Sequence, residues 1–200
     1  MQHMLAAHLE VPVEHLRPMR QVHGTKVHYR SSDEAIEAPP EGDAQWTDQP
    51  GLPLLLSAAD CYPVIIYDPD VRRIGVAHAG WRGTAQHVVG ALVTAMYRNG
   101  GEPRNCHGWI GPGAEAEVYE VDEAVAARFS AYPDALAPAH REGHVFLNLP
   151  AVLHAQLVAC GIPHEMITHS GRGTITDPDS HSFRRDQWRS GRMVAWGMLL

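Results

Sequence analysis

This chain predicts a mixed α+β layered domain, and three observations lead there. Short apolar runs rich in Leu, Val and Ile, such as Leu54-Leu55-Leu56 and Val64-Ile65-Ile66, are about as frequent as amphipathic helical stretches. Several of these predicted strands follow one another with no helix between them, which disfavours a regular βαβ array. The 200 residues, 44% of them apolar, suffice for one good-sized core, and no linker or internal repeat divides them. Residues 1–200 therefore read as a single domain.

The first twenty residues suggest a short helix, followed by turns at Pro12 and Pro18. Segments 19–22 and 26–30 read as extended chain bent at Gly24. Residues 31–42, rich in Ser, Asp, Glu and Pro, fit a surface loop. Strands are expected at about 52–57, 63–67 and 73–78, with a turn at Asp68-Pro69-Asp70. Gly80-Trp81-Arg82-Gly83-Thr84 opens the clearest helix. Thr84 is its expected N-cap, Val88, Val89, Leu92, Val93 and Met96 form one face, and Asn99-Gly100-Gly101 is the stop. A strand at about 106–110 ends at Gly111-Pro112-Gly113, and Asp122 caps a helix running to Phe129. A strand at 144–149 leads into a helix over 151–160, ended by Gly161 and Pro163. Strands near 165–169 and 193–199 complete the pattern.

Sixteen Lys and Arg stand against 23 Asp and Glu, a formal charge of −7 with no basic run, which argues against nucleic acid as a partner. No stretch reaches the roughly 18 uninterrupted apolar residues that a membrane helix needs. The N-terminus lacks the charged-then-apolar pattern of a secretory signal. Three widely spaced cysteines, 61, 106 and 160, fit reduced thiols in the cytoplasm better than a disulfide framework. The 14 histidines are scattered, and no two are separated by a single residue. A monomer or small homo-oligomer is expected.

Cys61 is the most informative side chain. It occupies a polar break, Ser57-Ala58-Ala59-Asp60-Cys61, between two strand-like runs. His23 and His78 sit in comparable strand-adjacent loops, at Gln21-Val22-His23-Gly24 and His78-Ala79-Gly80-Trp81-Arg82-Gly83. One thiolate and two imidazoles are a three-donor set for a soft or borderline metal, leaving a position open for water or substrate. The spacing is non-local, so only the fold can bring the three together. Two other readings stand beside this one. Cys61 could be a packed small apolar residue, or a nucleophile with His78 or His23 as base and Asp60 or Asp43 orienting it.

Glycines on both sides of Arg82, followed by a helix, suit a phosphate or carboxylate; the alternative is a tight turn with a solvated Arg. Arg184-Arg185-Asp186 suggests one arginine paired internally and one facing an anion, against a solvated surface turn. No P-loop or dinucleotide fingerprint occurs.

These segments together resemble one family. Gln21-Val22-His23-Gly24, Ala59-Asp60-Cys61-Tyr62-Pro63-Val64 and His78-Ala79-Gly80-Trp81-Arg82-Gly83 look like its three signature blocks. Ile110-Gly111-Pro112, Tyr119-Glu120-Val121, Ser182-Phe183-Arg184-Arg185-Asp186 and Gly191-Arg192-Met193 extend the match. This is the laccase-domain family, also labelled multicopper polyphenol oxidase or peptidoglycan editing factor. The resemblance implies a four-layer α/β/β/α sandwich with mixed β-sheets and a zinc held by His23, Cys61 and His78. It also implies phosphorolysis of adenosine and inosine, with methylthioadenosine cleavage and adenosine deamination as side activities. Purine nucleosides and phosphate would then be the small-molecule partners. Phosphate attacks C1′ of the ribose as the purine leaves, so Cys61, His78 and Arg82 are the expected catalytic set, with Arg82, Arg184 and Arg185 as phosphate candidates.

The chain departs from the family pattern in two places. Members usually carry a further segment before the position of residue 1, and Gly113-Ala114-Glu115-Ala116-Glu117 replaces a Cys-containing stretch, so no catalytic role is expected there. The multicopper label fits the sequence poorly, because a true laccase needs several His-x-His pairs and a His-Cys-His element. Cu2+ would still enter a site of two imidazoles and one thiolate in vitro, since it outcompetes Zn2+ at most nitrogen and sulfur ligands. The alternatives are a cysteine hydrolase or amidase acting on peptidoglycan-type fragments, a copper-loaded polyphenol oxidase, and a non-catalytic metal-binding module.

Overall fold

The computed structural model describes residues 2–34 and 38–200. Residues 35–37 of the expected surface loop therefore lie outside the described residues. The strands are β1 (Val27–Tyr29), β2 (Ala44–Thr47), β3 (Leu54–Ala58), β4 (Tyr62–Asp68), β5 (Arg73–Ala79), β6 (His107–Ile110), β7 (Glu120–Asp122), β8 (Leu136–Pro138), β9 (His144–Leu147), β10 (Ile167–His169) and β11 (Met193–Gly197). The helices are α1 (Gln2–His8), α2 (Trp81–Ala85), α3 (Val88–Tyr97), α4 (Glu123–Ala126), α5 (Leu149–Ala159) and α6 (Phe183–Asp186).

A six-stranded mixed sheet in the order β1-β2-β5-β4-β6-β10 forms the centre. Its two outer pairs are parallel and the inner strands antiparallel. Strand alternation sends β5 side chains to opposite faces. Ala77 and Ala79 join Val64 and Ile66 of β4 against Val88, Val89, Leu92, Val93 and Met96 of α3 and Val152, Leu153 and Leu157 of α5. Ile74 and Val76 face the other way, onto Leu54 and Leu56 of β3. Strand β3 pairs antiparallel with β11 in a separate two-stranded sheet. Leu55, between those two leucines, turns outward and is covered by Ala6 and its neighbours around α1. The layers therefore run α3 and α5, six-stranded sheet, β3–β11 pair, α1, in agreement with the four-layer expectation. The continuous Leu54-Leu55-Leu56 run follows directly, because β3 is covered on both faces. A third sheet, β7-β9-β8, lies beside the helical layer and contributes Val121 and Leu147 to its core.

Several expected elements stand where the sequence places them. Asp122 accepts the Val125 N–H at 2.8 Å and caps α4, which passes into a 3₁₀ turn ending at Phe129. Asn148 caps α5 through the Ala151 N–H at 3.1 Å. The helix expected from Thr84 is a correction. The chain turns helical already at Trp81, Thr84 donates its backbone N–H to the Gly80 carbonyl at 2.9 Å, and His87 breaks the run with φ +62° before α3 begins. Strands β2, β7 and β8 carry no clear apolar alternation. In β2, Gln45 is fully buried because its amide donates to the Arg17 and Leu55 carbonyls and accepts from Arg30. A buried polar side chain with every partner supplied reads, in sequence, as loop.

Candidate metal centre

The central sheet brings the three donors together at one end. Strands β4 and β5 form a hairpin in which Tyr62 faces Ala79 and Pro63 faces His78, so Cys61, just before β4, meets the far end of β5. On the other side of β5, Ala44 of β2 pairs with Ala77, and Asp43 takes the His78 backbone N–H on its own carbonyl at 2.7 Å. The Asp43 side chain then gathers the third donor. It is fully buried and accepts the backbone N–H groups of Val22, His23 and Gly24 at 3.1, 2.9 and 2.7 Å. These bonds hold His23 at φ +60°, a left-handed conformation that a non-glycine residue keeps only when its surroundings impose it.

The same carboxylate lies 2.9 Å from His78 Nδ1. Accepting that N–H leaves Nε2 with its lone pair facing inward, the carboxylate–histidine arrangement that orients imidazole ligands. Donor atoms of His23, Cys61 and His78 all lie within 4.8 Å of one another. A tetrahedral ion with two nitrogens and one sulfur has edges of about 3.3–3.6 Å, so small side-chain rotations close the set. Gly80 keeps the space clear: a Cβ there would stand 2.7 Å from Cys61 Sγ and 3.2 Å from His23 Cδ2.

The electrostatics favour donation. Burial alone would raise the Cys61 thiol, but hydrogen bonds and charge from His23 and His78 hold it down to about 7. Burial would likewise lower His78; Asp43 and Cys61 outweigh it and raise the imidazole to about 9. Asp43 also feels burial pushing it up, but the His78 ring and three backbone N–H groups keep it below the usual carboxylate range.

The donors open into a cleft of about 690 Å³ whose wall includes Arg82, Arg184 and Arg192 with Trp81, Tyr119 and Phe183. Arg82 lies over the Trp81 ring, 4.2 Å from its centroid. Arg184 lies over Tyr119 at 5.0 Å and donates to the Glu120 carbonyl at 2.8 Å. Asp60, next to Cys61, fixes the start of α6: its carboxylate accepts the Arg184 backbone N–H at 2.6 Å and the Thr174 hydroxyl at 2.7 Å.

Arg185 requires a correction. Its guanidinium is engaged by both oxygens of Asp186 and by the carbonyls of Thr174, Ile175, Asp177 and Ser180, so it ties the 174–180 loop to α6 and is not among the residues lining the cleft. Of the two adjacent arginines, 184 faces the cleft. Glu115, in the stretch with no expected catalytic role, accepts the Thr174, Ile175 and Thr176 N–H groups and clamps the same loop. In the sequence, Arg192 and Tyr119 stand out only as parts of matching blocks, and neither carries a periodic or spacing signal that would mark it as cleft-facing.

Fold and site define a metal-binding α/β protein with an arginine-lined cleft over a His–Cys–His centre. The chain belongs to the family described as multi-copper polyphenol oxidoreductase laccase, whose model matches residues 1–200. A relative from Deinococcus radiodurans named purine nucleoside phosphorylase is 38% identical over 193 residues, 96% of this chain and 73% of the relative. The crystal structure of Bacillus licheniformis hypothetical protein YfiH superposes with a TM-score of 0.93 at 30% identity, covering 100% of this chain and 79% of that one. YlmD from Geobacillus stearothermophilus gives 0.91 at 31% identity, with the same coverage. The family implies a metal, and the donor set suits one. Among the described residues a single group of three or more donors converges, fewer than several copper centres need. Among the described residues no helix is long and apolar enough to cross a membrane.

Proposed function

We propose that this protein is a purine nucleoside phosphorylase that binds Zn2+ through His23, Cys61 and His78 and cleaves adenosine, inosine and methylthioadenosine with phosphate. The observation that carries this reading is one cleft shared by three arginines and a metal set of two imidazole nitrogens and one sulfur. The printed names of the relatives support it. Zinc at this set would supply a Lewis acid with an open position.

The remaining work falls to the chain's own residues. Phosphate carries the charge that Arg82 and Arg184 neutralise, and their guanidinium forks match its oxygens. Both side chains lie against aromatic rings, which fixes their direction before substrate arrives. Held beside C1′, the phosphate oxygen attacks as the C–N bond to the purine lengthens. The departing base gains negative charge in a wall that carries positive groups, so its loss is favoured. Adenosine deamination is proposed as a minor activity of the same cleft, and Cu2+ as a substitute metal in vitro. The cytoplasm and a monomer or small oligomer remain the expected setting.

Purified protein incubated with inosine and phosphate should release hypoxanthine and ribose 1-phosphate, and Cys61→Ala should lose turnover together with the zinc of this centre. An undiminished zinc content with activity retained in that variant would refute the site. A second reading rests on Asp43, His78 and Cys61, which also stand in the order of a Cys–His–Asp hydrolase. Amidase activity that survives a chelator but not iodoacetamide would establish it and displace the first.

A further inference from the structure

Away from the cleft, three histidines from separate elements meet on one face. His154 lies on α5, His164 begins the single 3₁₀ turn His164–Met166, and His169 ends β10. His154 uses both ring nitrogens: Nδ1 lies 2.8 Å from His169 Nε2, and Nε2 lies 2.7 Å from His164 Nδ1. The His154 and His169 rings stack with centroids 5.1 Å apart and planes at 17°. His164 meets His154 edge-on at 4.6 Å. His154 is half-buried, whereas His164 and His169 are exposed. None of the three lines the cleft.

A neutral imidazole offers one N–H and one lone pair. When His154 donates its Nδ1–H to His169, its Nε2 carries the lone pair and points at His164 Nδ1. Exposed His164 can hold its own proton on Nε2, toward solvent, which leaves two nitrogen lone pairs directed at the same spot. A cation between them can take both lone pairs, in place of the N–H···N hydrogen bond that the other His164 tautomer makes. We propose that His154 Nε2 and His164 Nδ1 form a second metal site for a borderline divalent cation of the Zn2+ type, with water completing the coordination and His169 accepting from the other His154 nitrogen. Two nitrogens on a tetrahedral zinc stand about 3.3 Å apart, so the 2.7 Å contact must open by roughly 0.6 Å, a shift that the exposed His164 side chain can make. The bound ion would tie α5 to the loop that enters β10. This site is independent of the nucleoside chemistry proposed above.

Equilibrium dialysis against Zn2+ alone, followed by metal analysis, tests the proposal. The unmodified protein should retain two zinc ions per chain, and His154→Gln and His164→Gln should each retain one. Cys61→Ala should also retain one, and should lose it when combined with His164→Gln. His140→Gln, a control on another surface histidine, should keep two. One zinc in the unmodified protein that Cys61→Ala abolishes, or a zinc content that either the His154 or the His164 variant leaves unchanged, overturns the proposal; one zinc that Cys61→Ala keeps and His164→Gln abolishes overturns the first centre instead. Circular dichroism of the exposed His164→Gln variant confirms that a lost ion does not reflect a lost fold.

Discussion

Asp43 carries more of the metal centre than any ligand does. One buried carboxylate shapes the His23 loop through three N–H groups and orients His78 through Nδ1. Asp43→Asn keeps the size but loses the charge, so zinc affinity should fall about 10–100-fold by competition with a chelating dye. The Cys61 thiol provides a second test. Its partners hold it down to about 7, below the roughly 8.5 of a free cysteine. Iodoacetamide alkylation of metal-free protein should therefore rise with pH through an apparent pKa near 7, because the thiolate is the nucleophile and is lost as pH falls below that value. Saturating zinc should suppress the reaction at every pH. An alkylation midpoint above 8 would show that the imidazoles do not act on the sulfur.

At the scale of elements, the β4–β5 hairpin makes Cys61 and His78 neighbours. The two apolar runs and the Asp68-Pro69-Asp70 turn were legible, and the hairpin register that follows from them sets Pro63 opposite His78. Asp43 was harder to read: it enters through β2, whose buried Gln45 and Thr47 satisfy hydrogen bonds that only the folded protein shows. Arg82 was visible from its flanking glycines. Which of Arg184 and Arg185 faces outward depended on Asp186 and on the 174–180 carbonyls, partners that spacing alone does not reveal. The helical layer was plain in the pattern of Val88, Val89, Leu92, Val93 and Met96. Leu92 is fully buried against the sheet, and an alanine there would leave a cavity. Leu92→Ala should cost about 2–5 kcal/mol in urea unfolding with little change in the slope. A loss below 1 kcal/mol would mean that α3 packs more loosely than its contacts indicate.

For the molecule as a whole, residues distant in sequence line one cleft. Arg82 stands in α2 and Arg184 in α6, yet both line the same cleft. Hydrogen bonds to charged groups contribute about 1.5–3 kcal/mol each, so Arg82→Ala and Arg184→Ala should each raise the phosphate KM roughly tenfold or more, leaving the zinc content unchanged. Initial rates over a phosphate series check this, and an unaltered KM in both variants would place the anion elsewhere. The pairing of β11 with β3 carries a further consequence. His23, Cys61 and His78 lie at or before β5, whereas Arg184, Arg192 and β11, which completes the second sheet, follow β10. During synthesis on the ribosome, the nascent chain presents its cation ligands long before it presents the far wall of the pocket. The cleft is therefore complete only after β11 has emerged from the exit tunnel and docked on β3.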